Sequence, residues 1–368
     1  MHELFANAMQ LIFANAKPTT PLALSILFIG LLISCVACWV VTGERLRQGS
    51  PLVAWEARST VPWNLIDVAC VIFLHLAAIV GGAALYGAVS GVSFDSIDDG
   101  ADISVRQQIA MMMLVECTML GAVALSVGHL MYRARAKAAD LGFSMAQLQQ
   151  DITLGVLAFL MLTAPVLAIQ AGLGALFPDA GQHPFIDLFR EQGDNFTIGM
   201  IFIVAVLLAP PIEEFLFRVV IQGWLERFMA IQIANNNPSP TESAADAIPM
   251  EPTDSDTDTN IDCEANPYSS LALETRHFNP LISRAEVAEQ SPPNVVQSWL
   301  PIVVASLLFS LAHFGQGTAP IPLFFLSLGL GFIYQRTHRI WPSVVTHMLV
   351  NGLAVVQLKI ALDSGMQM

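Results

Sequence analysis

Long apolar stretches separated by short polar segments dominate the chain. A helix that crosses a bilayer needs about 20 apolar residues, and the first such stretch covers Leu22–Val41. Seven more follow, so the pattern predicts an all-α, polytopic membrane protein with about eight transmembrane helices. The sixth and seventh are short, and Pro320 and Pro322 separate them. The other predicted spans are Leu65–Val89, Ile109–Met131, Ile152–Leu176, Phe196–Trp224, Trp299–Gly315, Ile321–Tyr334 and Trp341–Leu362.

The fifth stretch carries Pro210 and Pro211 near its middle. Proline removes backbone donors and clashes with the preceding turn, so we expect the helix to break or kink there. Irregular backbone at membrane depth must face protein or water rather than lipid. This stretch is therefore the first candidate for a polar cavity inside the membrane.

The spans divide the chain into two predicted regions. Residues 1–195 form an N-terminal membrane region with spans one to four, and residues 196–362 form a core with spans five to eight. An acidic, polar loop at 233–298 interrupts the core, and its composition predicts disorder. This loop is either a regulatory or docking segment or a tolerated insertion. We expect an interfacial helix at Leu4–Phe13 and no cleaved signal peptide.

Composition agrees with a membrane domain. The chain is 54% hydrophobic and 12% charged, whereas soluble domains carry about 25% charged residues. The net charge of −14 does not suggest a nucleic-acid partner; the expected partners are the lipid bilayer and a membrane-associated substrate. Basic residues cluster after alternate spans, which places those loops in the cytoplasm. These residues are Arg45, Arg47, Arg58, Arg133, Arg135, Lys137, Arg227, Arg336 and Arg339.

Two adjacent carboxylates lie inside the fifth apolar stretch, in the sequence Glu213-Glu214-Phe215-Leu216-Phe217-Arg218. Buried charge in a membrane is costly and usually functional. On a helix Glu214 and Arg218 share a face and can pair, whereas Glu213 points roughly 100° away. Glu214 can then stay ionised against Arg218 while Glu213 acts as a base. The alternative for Glu214 and Arg218 is a structural ion pair between helices.

Two later spans carry further polar residues. Phe309 and His313 are four apart in the sixth span, and His347 and Asn351 are four apart in the eighth. Imidazole can be a base, a metal ligand or an oxyanion donor, and asparagine is a neutral donor. Because exposing polar groups to lipid is unfavourable, we expect these side chains to share one interior cavity with Glu213.

Three motifs in this order, Glu-Glu-x-x-x-Arg, Phe-x-x-x-His and His-x-x-x-Asn, resemble those of the CPBP or Abi family of intramembrane proteases, which includes the type 2 CAAX prenyl proteases. The resemblance covers about Phe196 to Leu362. It implies an eight-helix fold in a plasma or inner membrane, with an active-site cavity that we expect to open toward the cytoplasm. It also implies an endopeptidase that hydrolyses peptide bonds of membrane-embedded or lipidated substrates, in CAAX-type or bacteriocin- and leader-type processing.

The resemblance also implies roles for individual residues. Glu213 and His313 would hold and activate the attacking water, and His347 and Asn351 would stabilise the oxyanion. Glu214 and Arg218 would orient Glu213, and Phe309 would pack behind His313. Some members of the family are described as metalloproteases and others as metal-free glutamate proteases. If a metal is used, Glu213, His313 and His347 would supply three ligands to Zn²⁺, with a water as the fourth.

Two other functions are compatible with the sequence. A broken helix and scattered carboxylates are also found in ion-coupled membrane transporters, and Glu116 in span three is either a proton-relay residue or a local hydrogen-bonding group. The same fold can also serve as a non-catalytic membrane scaffold or immunity protein. A transporter should carry an internal repeat, and none is visible in the chain.

Overall fold

The structure is a computed structural model that describes residues 22–56, 60–91, 104–177, 188, 191–236 and 295–363. Every regular element in these ranges is a helix, and there are eight helices, so the predicted all-α fold is confirmed. Six of the described helices are long and apolar enough to cross a membrane. The protein is a multi-pass integral membrane protein.

The helices follow the predicted spans closely. The fifth, α5, is continuous but consists of five segments, Asn195–Phe202, Ile203–Leu208, Ala209–Glu214, Phe215–Gln222 and Gly223–Asn236. The others are α1 (Leu22–Arg47), α2 (Leu65–Ser90), α3 (Val105–Arg133), α4 (Leu148–Leu176), α6 (Val295–Ala312), α7 (Pro320–Thr337) and α8 (Trp341–Asp363).

Local sequence explains where several helices begin and end. The Asn64 side chain accepts hydrogen bonds from the N–H groups of Ile66 and Asp67, and this capping box starts α2. Gly91 ends the same helix in the left-handed conformation that glycine tolerates best. Asp194 accepts a hydrogen bond from the Thr197 N–H and starts α5. Each boundary therefore satisfies backbone groups that a helix end leaves without partners.

The expected break at Pro210 and Pro211 is replaced by a change of helix type. The segments Ile203–Leu208 and Phe215–Gln222 are π-helical, and the short α-helical segment Ala209–Glu214 lies between them. The Ala209 N–H donates to the carbonyl of Val204, five residues back, which is the π pattern. The prolines lie in the α-helical segment, and the helix does not unwind there. Of the predicted break or kink, the break is absent, because α5 is continuous, and the distortion next to Glu213 takes the form of the two π-helical segments.

Small residues let α4 approach α7 and α8 closely. A Cβ on Gly155 would lie 2.7 Å from Cβ of Val345, and one on Gly329 would lie 2.5 Å from Cδ1 of Leu162. The Thr346 hydroxyl also donates to the carbonyl of Gly155 at 3.0 Å. Close contact between small residues is a usual source of helix association in membranes. It holds the last span, which carries His347, against α4.

Ion pairs join the helices at the end of the bundle that carries Arg133 and Arg339. Asp67 is buried in α2 and accepts hydrogen bonds from His129 and Arg133 of α3. Arg339, in the turn between α7 and α8, pairs with Asp151 and Glu56. Burial lowers the pKa of Arg339, but the hydrogen bonds to Asp151 and Glu56 outweigh burial and raise that pKa above its usual value. The charged guanidinium of Arg339 therefore joins the turn before α8 to α4, which carries Asp151, and to the segment that carries Glu56.

Some predictions concern residues outside the described ranges. The interfacial helix predicted at Leu4–Phe13 and the basic residue Arg58 lie there. So does almost all of the acidic loop predicted at 233–298. Only its ends, 233–236 and 295–298, are described, and both are helical.

Candidate active site

The two glutamates of α5 lie at the boundary between an α-helical and a π-helical segment. Glu213 and Glu214 end the Ala209–Glu214 segment, and Phe215–Gln222 continues as a π-helix. Glu214 is fully buried, whereas the side chain of Glu213 keeps 25% of its exposure. The two neighbours therefore occupy different environments, as the sequence suggested. π-Helical turns occur frequently at functional sites.

Glu214 is held on two sides. Its Oε2 accepts a hydrogen bond from Nε of Arg218 at 3.2 Å, so the predicted pair is present. Arg218 is also fully buried, and its Nη2 donates to the hydroxyl of Ser327 on α7 at 2.6 Å. The carboxylate and guanidinium offset each other's charge, which is a condition for burying either of them.

The second oxygen of Glu214 orients His347. Nδ1 of His347 lies 3.0 Å from Oε1 of Glu214. Because a carboxylate paired with arginine can only accept, Nδ1 must carry the proton that it donates. This leaves Nε2 of His347 facing Oε2 of Glu213 at 3.7 Å. Glu214 therefore positions His347. This contact was not predicted, because the motifs implied that Glu214 would orient Glu213.

His313 approaches Glu213 from the other side. It was predicted inside the sixth span, but α6 ends at Ala312 and His313 is the first residue of the following turn. Nδ1 of His313 lies 2.8 Å from the carbonyl of Phe309 and therefore donates to it. Nε2 is left facing Oε1 of Glu213 at 3.9 Å. Two imidazole nitrogens thus face one carboxylate, from different elements.

Phe309 forms the apolar wall of the site. It is fully buried, with its ring centroid 4.7 Å from that of His313 and 5.7 Å from that of His347. The guanidinium carbon of Arg218 lies 5.7 Å from the same ring centroid. The predicted packing of Phe309 behind His313 is confirmed, and the same ring also packs against His347 and Arg218.

Asn351 binds the backbone of α5. Its Nδ2 donates to the carbonyl of Ala205 at 2.8 Å. The carbonyl of Ala205 has lost its helical donors, because the Ala209 N–H bonds to Val204 and Pro210 has no N–H. Asn351 therefore replaces a backbone hydrogen bond that proline removes. Its predicted role as an oxyanion donor stays a prediction.

Three residues near the site were not predicted, and a fourth, Glu116, was predicted as a proton-relay residue or a local hydrogen-bonding group. Ser327 binds Arg218, and Gln222 donates to the carbonyl of Gly331 at 2.9 Å. A Cβ on Gly331 would lie 2.9 Å from Oε1 of Gln222, so a larger residue there would displace the Gln222 side chain. Glu116 of α3 is near enough to Glu213 for their charges to interact. Ser327 and Gly331 lie in the apolar run of α7, and no motif distinguishes them.

The donor set of the site is of the type that zinc uses, namely two imidazoles and one carboxylate. The Nε2 atoms of His313 and His347 face Glu213, and Glu214 supports His347 in the way that carboxylates support metal-bound histidines. Within the described residues, however, no three His, Cys, Asp or Glu side chains converge as a metal ion requires. Zinc binding by Glu213, His313 and His347 stays a prediction.

The geometry can instead hold and deprotonate a water. The oxygens of Glu213 lie 3.9 and 3.7 Å from the two Nε2 atoms, beyond direct hydrogen-bond distance. Catalytic contacts are often long without substrate and shorten in the complex. An uncommitted carboxylate between two oriented imidazoles, beside a buried ion pair, is an arrangement suited to general acid–base chemistry.

Comparison with known families agrees with the motifs. Residues 282–353 match the family "Rce1-like: Type II CAAX prenyl endopeptidase Rce1-like". The matched residues contain Phe309, His313, His347 and Asn351 and confirm the resemblance over that range. No curated protein and no solved structure matches the chain.

Proposed function

We propose that this chain is an intramembrane endopeptidase of the CAAX type and that Glu213 is its catalytic base. One observation carries the proposal: Glu213 is the uncommitted carboxylate of the pair, and it lies between the Nε2 atoms of His313 and His347. The family match over residues 282–353 supports an endopeptidase of this class independently of that geometry.

The reaction is hydrolysis of a peptide bond. Water bound between Glu213 and His313 attacks the substrate carbonyl while Glu213 takes the proton. The oxyanion is stabilised by donors on α8, namely the Nε2–H of His347 when both of its ring nitrogens are protonated, and the remaining N–H of Asn351. Collapse of the intermediate breaks the C–N bond, and the proton held by Glu213 passes to the departing amine. Hydroxyl and hydrogen from one water are thereby divided between the two products.

Glu214 and Arg218 act at a distance from the scissile bond. The Glu214 carboxylate receives the Nδ1–H of His347 and stabilises positive charge on that ring when Nε2 gains a proton. Arg218 and Ser327 prevent Glu214 from turning away. We therefore describe Glu214, Arg218 and Ser327 as positioning residues and Glu213, His313 and His347 as catalytic residues.

The proposed substrate is a lipidated or membrane-embedded peptide, delivered from the cytoplasmic side. His347 lies six residues, about 9 Å along the helix axis, from the start of α8, which begins after Arg339 at the end of the bundle that also carries Arg133. Basic residues mark this end as cytoplasmic by the positive-inside rule. An opening there would admit the end of a chain whose lipid or apolar anchor stays in the adjacent leaflet.

A cleavage assay with purified protein tests the proposal. The substrate is a fluorescent peptide that ends in a lipidated C-a-a-X sequence, presented in vesicles. Glu213→Gln keeps the shape of the side chain but cannot take a proton, so we expect kcat to fall by about a hundredfold or more. Wild-type activity in a correctly folded Glu213→Gln protein contradicts the mechanism. Proton or solute flux lost in that variant would favour a transporter, and an interaction phenotype that survives it would favour a scaffold.

Zinc dependence is a separate proposal with its own measurement. Because the donors as placed do not converge on a metal position, we expect activity to persist after dialysis against a strong chelator. Metal analysis of the active protein should then show less than one zinc per chain. Stoichiometric zinc together with loss of activity on chelation would assign Glu213, His313 and His347 as its ligands.

A further inference from the structure

An apolar cavity of about 640 Å³ lies between α3 and the beginning of α5, apart from the catalytic side chains. Its walls are formed mainly by Ile109, Met113, Leu114, Phe196 and Met200, with Cys117 also in the lining. Arg106 is the one charged residue in the lining. An apolar space with a charged group at one end matches an amphipathic ligand.

The depth of the cavity corresponds to one leaflet of a membrane. Arg106 and Cys117 are eleven residues apart on α3, which is about 16 Å along the helix axis. The hydrocarbon core of a bilayer is about 30 Å thick, so the cavity spans about half of it. Arg106 is in the first turn of α3, at the opposite end of that helix from Arg133. The cavity therefore lies in the leaflet opposite the proposed cytoplasmic face.

The charged end of the cavity carries two opposite charges. Nη2 of Arg106 lies 3.8 Å from Oδ2 of Asp194, and both side chains are well exposed. This separation exceeds the 2.7–2.9 Å of a charge-assisted hydrogen bond, so both groups keep capacity for other partners. Phe196 holds the guanidinium, whose carbon lies 5.8 Å from the ring centroid. The positive end of the α3 helix dipole adds attraction for an anion beside Arg106.

Asp194 is fixed as an anion at this position. The backbone N–H of Thr197 donates to Oδ1 of Asp194 at 2.8 Å. Hydrogen bonding by Thr197 holds the pKa of Asp194 below its usual value. A carboxylate held at the helix cap beside an exposed guanidinium is complementary to a headgroup that contains both a phosphate and an ammonium.

We propose that this cavity binds one phosphatidylethanolamine molecule, with the phosphate at Arg106, the ammonium at Asp194 and an acyl chain along Met113 and Met200. A primary ammonium donates hydrogen bonds to a carboxylate, whereas the quaternary group of phosphatidylcholine cannot. Phosphatidylglycerol carries no cation that could bind Asp194. The site is therefore selective for the headgroup, unlike the general contact of membrane lipids with apolar helices. The proposal does not depend on proteolytic activity.

Native mass spectrometry of the full chain tests the site. The protein is reconstituted with equal parts of dioleoyl phosphatidylethanolamine, phosphatidylcholine and phosphatidylglycerol, then released into mild detergent, and the retained lipids are counted. We expect one retained phosphatidylethanolamine per chain. Arg106→Gln should lower this retention by about tenfold, which is the loss expected when one charge-assisted hydrogen bond is removed. Asp194→Asn should reduce the preference over phosphatidylcholine while keeping the helix cap, since asparagine caps helices as well as aspartate does.

Two further variants complete the experiment. Ala110→Leu narrows the cavity and should reduce retention of all three lipids. Arg47→Gln removes an exposed arginine that pairs with Glu44 at the end of α1, away from the cavity, and should leave retention unchanged. Equal retention of the three lipids by the wild type, or undiminished retention in Arg106→Gln, overturns the proposal. A preference for phosphatidylglycerol also overturns it, because Arg106 alone would then select the headgroup. If Arg106→Gln fails to fold, the wild-type preference and Asp194→Asn decide.

Discussion

At the scale of single residues, two neighbouring glutamates differ because of their partners. Glu214 is fully buried and contacts both Arg218 and His347. Glu213 is partly exposed and faces the two imidazoles without a direct hydrogen bond. One carboxylate therefore stabilises the fold and orients a ring, whereas the other is available to exchange a proton. Substitution should separate these two contributions.

We expect Glu214→Gln to destabilise the protein and Glu213→Gln to leave its stability nearly unchanged. The first change leaves the buried guanidinium of Arg218 without its counter-charge, which costs about 3–5 kcal/mol. The second removes a partly exposed group that has no direct partner. Thermal unfolding in detergent measures both. Equal melting temperatures for the two variants would show that the Glu214–Arg218 pair has no net effect on stability.

The sequence alone predicts what chemistry these residues can perform better than it predicts which residues they contact. The spacing of Glu214 and Arg218 predicts their pair, because residues four apart face each other on a helix. The contact between Glu214 and His347 joins residues 133 positions apart in the chain, and no local periodicity encodes it. The position of His313 just after α6 was also missed, because the apolar run continues to Gly315 while the helix ends at Ala312.

At the scale of helices, α5 is shaped by two prolines and one distant asparagine. The prolines remove N–H donors, and the π-helical segment before them shifts the remaining hydrogen bonds by one residue. The carbonyl of Ala205 is left for Asn351 of α8. Proline in the sequence predicts a distortion, but whether the helix breaks or widens depends on what can satisfy the released carbonyls. For the carbonyl of Ala205 that partner is Asn351, which lies on another span.

A double-mutant cycle tests this link between α5 and α8. Pro210→Ala restores an N–H beside the carbonyl of Ala205, so Asn351→Ala should cost less stability in that background than in the wild type. The expected coupling is about 1 kcal/mol, the value of one hydrogen bond. Unfolding in detergent with increasing denaturant provides the four free energies. Strictly additive effects would show that Asn351 does not compensate for the proline.

Contact between α4 and α8 depends on a single glycine. A Cβ at Gly155 would lie 2.7 Å from Cβ of Val345 and 2.9 Å from the carbonyl of Pro342, so Gly155→Ala must push the two helices apart. We expect it to lower both stability, by about 1–3 kcal/mol, and activity, because α8 carries His347. Gly172 lies on the same helix with nothing within 4 Å of an added Cβ.

Gly172→Ala is the matched control for this contact. It makes the same chemical change in the same helix and should be neutral or stabilising, by about 1 kcal/mol, through helix propensity. Melting temperature and cleavage rate are measured for both variants. Similar losses for the two would show that helix propensity, and not the contact between helices, explains the effect.

At the scale of the whole molecule, the bundle has two different ends. One end joins α2 to α3 through Asp67 and Arg133, and α4 to the turn before α8 through Asp151 and Arg339. The other end carries the exposed pair of Arg106 and Asp194 beside the apolar cavity. The first end is held together by these ion pairs, whereas the second contains an opening of lipid size.

This asymmetry leads to a prediction of orientation, which labelling from each side of the membrane can test. By the positive-inside rule the end with Arg133 and Arg339 is cytoplasmic. In a variant without native cysteines, we expect Lys137→Cys, just beyond α3, to react with a membrane-impermeant maleimide only after the membrane is opened. Ser104→Cys, just before α3, should react in intact cells.

The two positions are matched, since they flank the same helix and both residues are exposed. The reverse result would show that the whole bundle has the opposite orientation in the membrane. One span fixes the direction of its neighbours, because the connecting segments alternate between the two sides. The proposed cytoplasmic delivery of substrate would then be wrong, and the lipid site would belong to the cytoplasmic leaflet. The catalytic assignment of Glu213 would be unaffected, because the contacts of His313, His347 and Glu214 do not depend on orientation.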